Sequence, residues 1–218
     1  MNSYQNLVLL QNLHRLKALG FEYSDTFSLN EESSFELPRS MSMLEHSLKS
    51  CHLCDLSKSR TQTMSGFGDK TAKIMFIDNR VSSEQDKQNS YYVGRSGEML
   101  QKMIENVLQL SIDDVYYTHA LKCKPLDSNK PSPSEWNSCR GYLHAQIEFT
   151  KPKVIVTLGE EAYKNLTSDE ENFDTIRGHV ITFKNYKVVP IYHPSFLLRN
   201  PDLKKVVFND LKTIKGCI

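Results

Sequence analysis

Residues 154–159 read Val-Ile-Val-Thr-Leu-Gly, a short run of β-favouring side chains closed by a glycine. Helical stretches flank it, 133–149 (PSEWNSCRGYLHAQIEF) before and 160–167 after. Outward from there the alternation repeats. Residues 73–77 (KIMFI), 115–118 (VYYT) and 188–192 (VVPIY) are further strands, and 96–109 (SGEMLQKMIENVLQ) and about 202–214 are further helices. A hairpin around Lys184-Asn185 pairs 180–183 with 188–191. Strands alternating with helices of this length specify an α/β fold with a mostly parallel sheet covered on both faces. Ligands of such sheets sit beyond the carboxyl ends of the strands. That directs attention to Asp78-Asn79-Arg80, His119, Gly159 and His193.

The 218 residues suit one α/β domain with a modest appendage, large enough to bury a core without disulfides. Apolar residues make up 39% and charged residues 24%, which excludes a disordered tail or a collagen-like fibre. No apolar run is long enough for a membrane helix, and the N-terminus lacks a charged leader with a cleavage site. A cytoplasmic protein without membrane contact is expected. The formal net charge is +1, so bulk electrostatics do not advertise a polyanionic partner. The charge is uneven, however: 1–50 is net negative, whereas 183–218 carries seven basic side chains against Asp202 and Asp210. A basic end of this kind suits phosphate contact, and equally a solvated helix face.

Residues 1–50 read as a helical extension and linker, and 51–218 as the main domain. Within 4–20, Leu9, Leu13 and Leu16, with Leu10 and Leu19 beside them, recur at helical spacing, and Gly20 is a stop signal. Residues 21–39 are polar, acidic and aperiodic, as in a linker, and a short helix over about 41–50 runs into the first cysteine pair.

The five cysteines are Cys51, Cys54, Cys123, Cys139 and Cys217. Cys51-x-x-Cys54 places two thiolates on one turn, the usual way to chelate a soft metal. With Cys123 and Cys139 the set fits a [4Fe–4S] cluster or a four-cysteine zinc site; a redox CxxC with scattered core cysteines is the plainer reading. An odd count without a signal peptide argues against a disulfide framework, and Cys217 reads as a bystander.

From Cys51 to about Leu211 the chain resembles the family 4 uracil-DNA glycosylases, the iron–sulfur branch of the uracil-DNA glycosylase superfamily. The matching pieces occur in order: CHLC, SGFGDKTAKIMFI, YYVGRSGEML, DDVYYTHALKCKP, PSPSEWNSC, PKVIVTLG, IRG and YHPSFLLRNP. The resemblance implies a three-layer α/β/α sandwich with a mostly parallel four-stranded central sheet. It also implies a structural [4Fe–4S] cluster on Cys51, Cys54, Cys123 and Cys139. The implied activity is DNA repair by excision of uracil or a related damaged base from single- or double-stranded DNA, by a monomer.

Excision needs the base out of the stack, because the glycosidic bond is shielded within a duplex. The bond then breaks with positive charge developing on the sugar and negative charge on the base. Donors must meet that anion, an aromatic platform must hold the base, and a further group must position or deprotonate water. The resemblance assigns the anion-stabilising role to His193, in the Tyr192-His193-Pro194-Ser195 motif. Ser195, Leu197, Leu198 and Arg199 would then contact DNA, the leucines as a minor-groove wedge or, alternatively, as a cap on the core. Tyr92 would stack on the base; the family carries Phe there. Gly94 and Gly97 would let the backbone approach the DNA or the base.

Two positions depart from the family. Its first motif, GEAPGxxED, is replaced by Asp78-Asn79-Arg80-Val81-Ser82-Ser83-Glu84-Gln85-Asp86, so the catalytic glutamate falls on Asn79. An amide orients water but cannot take its proton. Asp78, Glu84 and Asp86 are nearby carboxylates for that task, or simply an exposed acidic turn. The second is His119, where the family reads the uracil edge with Asn; an imidazole cannot copy an amide that donates and accepts on one edge. These changes leave open a nucleic-acid-binding member without catalysis and, further off, a cluster-sensing protein. Asp78, Arg80, Tyr92 and His119 make up the expected substrate contacts.

Overall fold

The computed structural model describes residues 7–8, 10–14, 38–126 and 130–218. Residues 7–8 and 10–14 are helical and form α1. The expected linker lies outside the described residues except for 38–39, as do Leu9, Leu16, Leu19 and Gly20 of the expected leucine stripe. Helix α1 buries Leu7 (1% exposed) rather than Leu13 (42%). The reason is geometric: Leu7 and Gln11 lie one turn apart on one face, and Gln11 donates to the Tyr142 hydroxyl at 3.0 Å.

The chain continues through α2 (Met41–Lys49), β1 (Phe67–Gly68), β2 (Ile74–Arg80), α3 (Ser83–Gln88), α4 (Gly94–Met103), β3 (Tyr116–Leu121) and α5 (Pro133–Thr150). It ends with β4 (Val154–Leu158), α6 (Glu160–Thr167), α7 (Phe173–Ile176), β5 (Ile181–Phe183), β6 (Tyr186–Ile191), α8 (Pro194–Arg199) and α9 (Lys204–Lys215). Strand order is β1-β3-β2-β4-β6-β5. The four central strands are parallel, as expected. The sheet has six strands rather than four, because two short antiparallel strands close its edges. One is β1, the other the β5–β6 hairpin partner, with Phe183 opposite Tyr186.

Alternate strand residues feed two separate cores, which makes the three layers. Met75, Ile77, Ile155 and Val188 pack under α2, α5, α6 and α7. Ile74, Phe76, Val156 and Val189 pack under α4, its π-helical continuation Ile104–Leu108, α8 and α9. Strands covered on both faces read as near-continuous apolar runs, which is why β4 is so legible. Among the described residues, no helix is long and apolar enough to cross a membrane.

Three local differences bear on the site. Strand β2 runs on to Arg80, pairing Asp78 with His119 and Arg80 with Leu121, so Asp78 and Asn79 are strand residues and both are buried. Residues 83–88 form α3, started by a Ser82–Gln85 capping box whose Ser-x-x-Gln spacing is visible in the sequence. Residues 194–199, which include the expected wedge Leu197-Leu198, form α8, with Pro194 in the first turn and His193 as N-cap.

Candidate active site

Strand β3 lies on one side of β2 and β4 on the other, so the chain reverses direction of travel across the sheet there. A cleft of about 1080 Å³ opens at the carboxyl ends of the strands, where this topology places ligands. Its lining includes Asp78, Asn79, Arg80, Tyr117, Glu161 and His193.

The floor is a charged pair. His193 Nε2 is 3.2 Å from both Asp78 carboxylate oxygens, and the Tyr117 hydroxyl donates to Asp78 Oδ2 at 2.8 Å. Burial raises the Asp78 pKa, but His193, joined by His119 and the Tyr117 hydrogen bond, more than offsets it and brings the carboxyl down to about 2. Burial likewise works against a charged His193, yet the Asp78 carboxylate holds its pKa above the ordinary histidine value. On the other side of the ring, Nδ1 faces Ser195 Oγ at 2.7 Å and the Ser195 N–H at 3.1 Å. In the neutral ring Nδ1 accepts both Ser195 bonds; the protonated ring donates from Nδ1 to the hydroxyl. Gly159, at φ +88°, turns the chain from β4 into α6 within 3.2 Å of His193 Cβ, measured from where its own Cβ would stand.

Beside that pair lies a second set that sequence reasoning did not find. The Asn79 amide donates from Nδ2 to Glu161 Oε2 and accepts at Oδ1 from Asn165 Nδ2 at 3.1 Å. Asn165 Nδ2 is also bonded to the Glu161 carbonyl at 2.8 Å, one turn back along α6. Glu161 stands in the first turn of α6, exposed to the cleft. The signal was unavailable locally, because Glu161 follows Asn79 by 82 residues. Of the nearby acids expected as substitutes, Asp86 is buried and accepts from the Thr61 and Gln62 backbone N–H groups. Glu84 lines the cleft, beside Gly94.

Tyr92 and His119 sit one layer back. Tyr92 is absent from the cleft lining; its ring packs 5.4 Å from Tyr117 and 5.8 Å from Phe67, centroid to centroid. Its hydroxyl is buried with no partner among the described residues. His119 is fully buried, 5.2 Å from the Tyr117 ring, and burial lowers its pKa to about 4, so it is neutral at pH 7. Its Nε2 meets Gln85 Oε1 at 3.1 Å, which makes Nε2 the donor, because Gln85 Oε1 already accepts from Ser82 N–H. Its Nδ1 is left without a partner among the described residues. The close approach permitted at Gly94 and Gly97 is to the chain itself: an added Cβ would fall 1.9 Å from Glu84 Oε2 and 2.4 Å from the Tyr92 carbonyl carbon.

The lining aromatics are instead Tyr117 and a wall of Phe173, Tyr192 and Phe196, with Tyr192 and Phe196 at 5.0 Å. Asp174 accepts from the Tyr192 hydroxyl at 2.8 Å, and Arg177 lies over its ring. Of the residues expected at DNA, Ser195 and Arg199 line the cleft, Leu198 is half-buried, and Leu197 is 1% exposed in the core beneath α8. Seven lining residues are Asp or Glu and four are Lys or Arg. The cleft therefore suits an uncharged base better than phosphate.

Cys54, Cys123 and Cys139 share a small apolar cluster with Leu56, Leu121 and Trp136, whereas Cys51 packs against the neighbouring core beneath α2 and α5. All are free thiols. Burial first, and then the neighbouring thiols, raise Cys54 to about 11 and Cys139 to about 12, and Cys123 is raised too. Arg60 donates to Cys123 Sγ at 3.2 Å and to the Cys51 carbonyl at 2.9 Å; the Lys122 N–H points at Cys139 Sγ at 3.4 Å. Among the described residues no three His, Cys, Asp or Glu side chains are gathered closely enough to hold a single metal ion. Two buried and two half-buried sulfurs, with the Arg60 guanidinium on Cys123 and a backbone N–H on Cys139, nonetheless fit a thiolate-bound centre in donor chemistry.

The family model of the uracil DNA glycosylase superfamily matches residues 65–212. A type-4 uracil-DNA glycosylase of Sulfurisphaera tokodaii is 34% identical over 184 residues, 81% of this chain and 84% of that one. Those of Thermotoga maritima (32% identical; 82% of this chain, 94% of that one) and Archaeoglobus fulgidus (34%; 77% and 87%) are similar over comparable spans. Sheet order, cleft position and these matches agree, and the chain belongs to the uracil-DNA glycosylase superfamily.

Proposed function

We propose that the protein is a DNA repair glycosylase that hydrolyses the bond between deoxyribose and a flipped-out uracil. The observation that carries this reading is His193, fixed between Asp78 and Ser195 on the cleft floor of a superfamily member whose similar relatives are type-4 uracil-DNA glycosylases. An extruded base entering the cleft meets the half-exposed Tyr192 and Phe196 rings, backed by Phe173, which supply stacking surface. As the C1′–N1 bond opens, negative charge spreads into the base, and His193, whose protonated form the Asp78 carboxylate favours, is the group on the cleft floor placed to meet it. Asn79, in the place of the family's glutamate, contributes through its amide, which holds the Glu161 carboxylate at the cleft. Single- or double-stranded DNA acted on by a monomer completes the reading.

In the same reading Cys51, Cys54, Cys123 and Cys139 hold a [4Fe–4S] cluster, with zinc the less favoured occupant. A bound cluster supplies a cross-link between the 51–60 segment and the chain after β3, and takes no part in the chemistry. The Arg60 guanidinium on Cys123 offsets part of the negative charge that thiolates would bring, and the Lys122 backbone N–H meets Cys139 Sγ.

Asn79 in the place of a glutamate favours a second reading, a DNA-binding member without excision. A gel assay on uracil-containing single- and double-stranded oligonucleotides separates the two. Abasic product from the protein and none from His193→Ala supports excision. Salt-sensitive binding with no product above that control supports the second reading and refutes the first.

A further inference from the structure

We propose that Glu161 is the catalytic base of this enzyme, standing in for the carboxylate that position 79 lacks; the inference rests on the excision reading above. Three observations carry it. Glu161 lines the same cleft as His193, from the first turn of α6 directly after β4. One of its carboxylate oxygens is held by the Asn79 amide, so a carboxylate stands one hydrogen bond beyond the residue that would otherwise supply it. Asn165 fixes that amide from the far side and bonds the Glu161 carbonyl, so the orientation is set by two side chains rather than left to rotation.

Asn79 and Glu161 thus divide a task that one glutamate performs in a single side chain. The amide uses its donor to orient the carboxylate, and the carboxylate takes the proton. In the reaction, water oxygen forms the bond to C1′ as the C1′–N1 pair leaves on the base, where His193 meets the charge. Glu161 removes one proton from that water and returns it to solvent, and the departing base anion takes one up. One water is consumed for each base released, and no other reactant is required.

The test is single-turnover excision by full-length Glu161→Gln, together with its affinity for an uncleavable 2′-fluoro-deoxyuridine oligonucleotide. Gln keeps an acceptor for the Asn79 amide but cannot hold a proton. The rate is expected to fall about 100-fold or more, in the range a general base contributes, with affinity changed less than about threefold. The double variant Asn79→Glu/Glu161→Gln returns a carboxylate to the same spot and is expected to recover at least tenfold of that loss. If Glu161→Gln also melts earlier than the parent, Glu161→Asp decides: recovery of rate supports the base, a rate as low as that of Gln overturns it. A parent enzyme that excises uracil while Glu161→Gln keeps a third or more of its rate overturns the role of Glu161 alone. A parent enzyme with no excision at all overturns the excision reading, and this inference with it.

Discussion

Replacing Asp78 by Asn removes one charge from the cleft floor and keeps the shape. The neutral amide still offers Tyr117 an acceptor, so the change isolates the pairing with His193. At 3.2 Å the gross Coulomb attraction is about 5 kcal/mol for an effective dielectric of 20. Burial of the pair cancels part of it, and the net effect on Asp78 is a fall from 3.8 to about 2, which corresponds to about 2–3 kcal/mol. Asp78 is 7% exposed, so little is lost to solvent screening. The pH dependence follows from both partners. The lowered Asp78 pKa gives stability that is complete above about 4 and lost as pH falls toward 2. The raised His193 pKa gives stability complete below the unfolded value of 6.5 and lost as pH rises through the folded one. Thermal melts of parent and Asp78→Asn should therefore differ most between pH 4 and 6.5, by about 5–10 °C, and converge on both sides. Side-chain NMR should show His193 titrating lower in the variant. Equal melting at pH 5.5, or an unmoved His193 titration, would refute the pairing.

Other perturbations separate roles that the sequence left mixed. Leu197→Ala should cost about 2–5 kcal/mol in chemical denaturation, as a buried leucine does, because the side chain sits in the core beneath α8; unchanged stability with weakened binding would restore the wedge. Arg199→Ala should weaken DNA binding alike across sequences and lower the salt slope by about one, and an unchanged slope would remove Arg199 from the phosphate contacts. Cys139→Ser should abolish iron retention and the visible absorbance of anaerobically prepared protein; one tightly held zinc in the parent, with no iron, would replace the cluster by the other occupant.

The central strands were legible because parallel strands buried on both faces are continuous apolar runs, as in residues 154–158 and 74–77. Edge strand β1 was not, since two residues, one of them glycine, carry no periodicity. The polar end of β2 was missed for a related reason: Asp78-Asn79-Arg80 reads as a turn, and only pairing with His119 and Leu121 keeps it extended. Similarly, Leu197 and Leu198 read as a wedge or a core cap, and only the helix begun by Pro194 and an N-capping His193 decides it, since that helix turns Leu197 into the core. His193 itself stood out because its motif is contiguous. The Asn79–Glu161–Asn165 set did not, because it joins β2 to a helix many residues later through side chains alone. Tyr117, read as part of a strand, became a site residue only once its hydroxyl was seen on Asp78.

The central claim is most directly tested by quantifying free uracil released from a single-stranded oligonucleotide by the metal-loaded protein. Released uracil at enzyme-limited yield, abolished by His193→Ala, is the expected result. An intact oligonucleotide after prolonged incubation with saturating protein would contradict it.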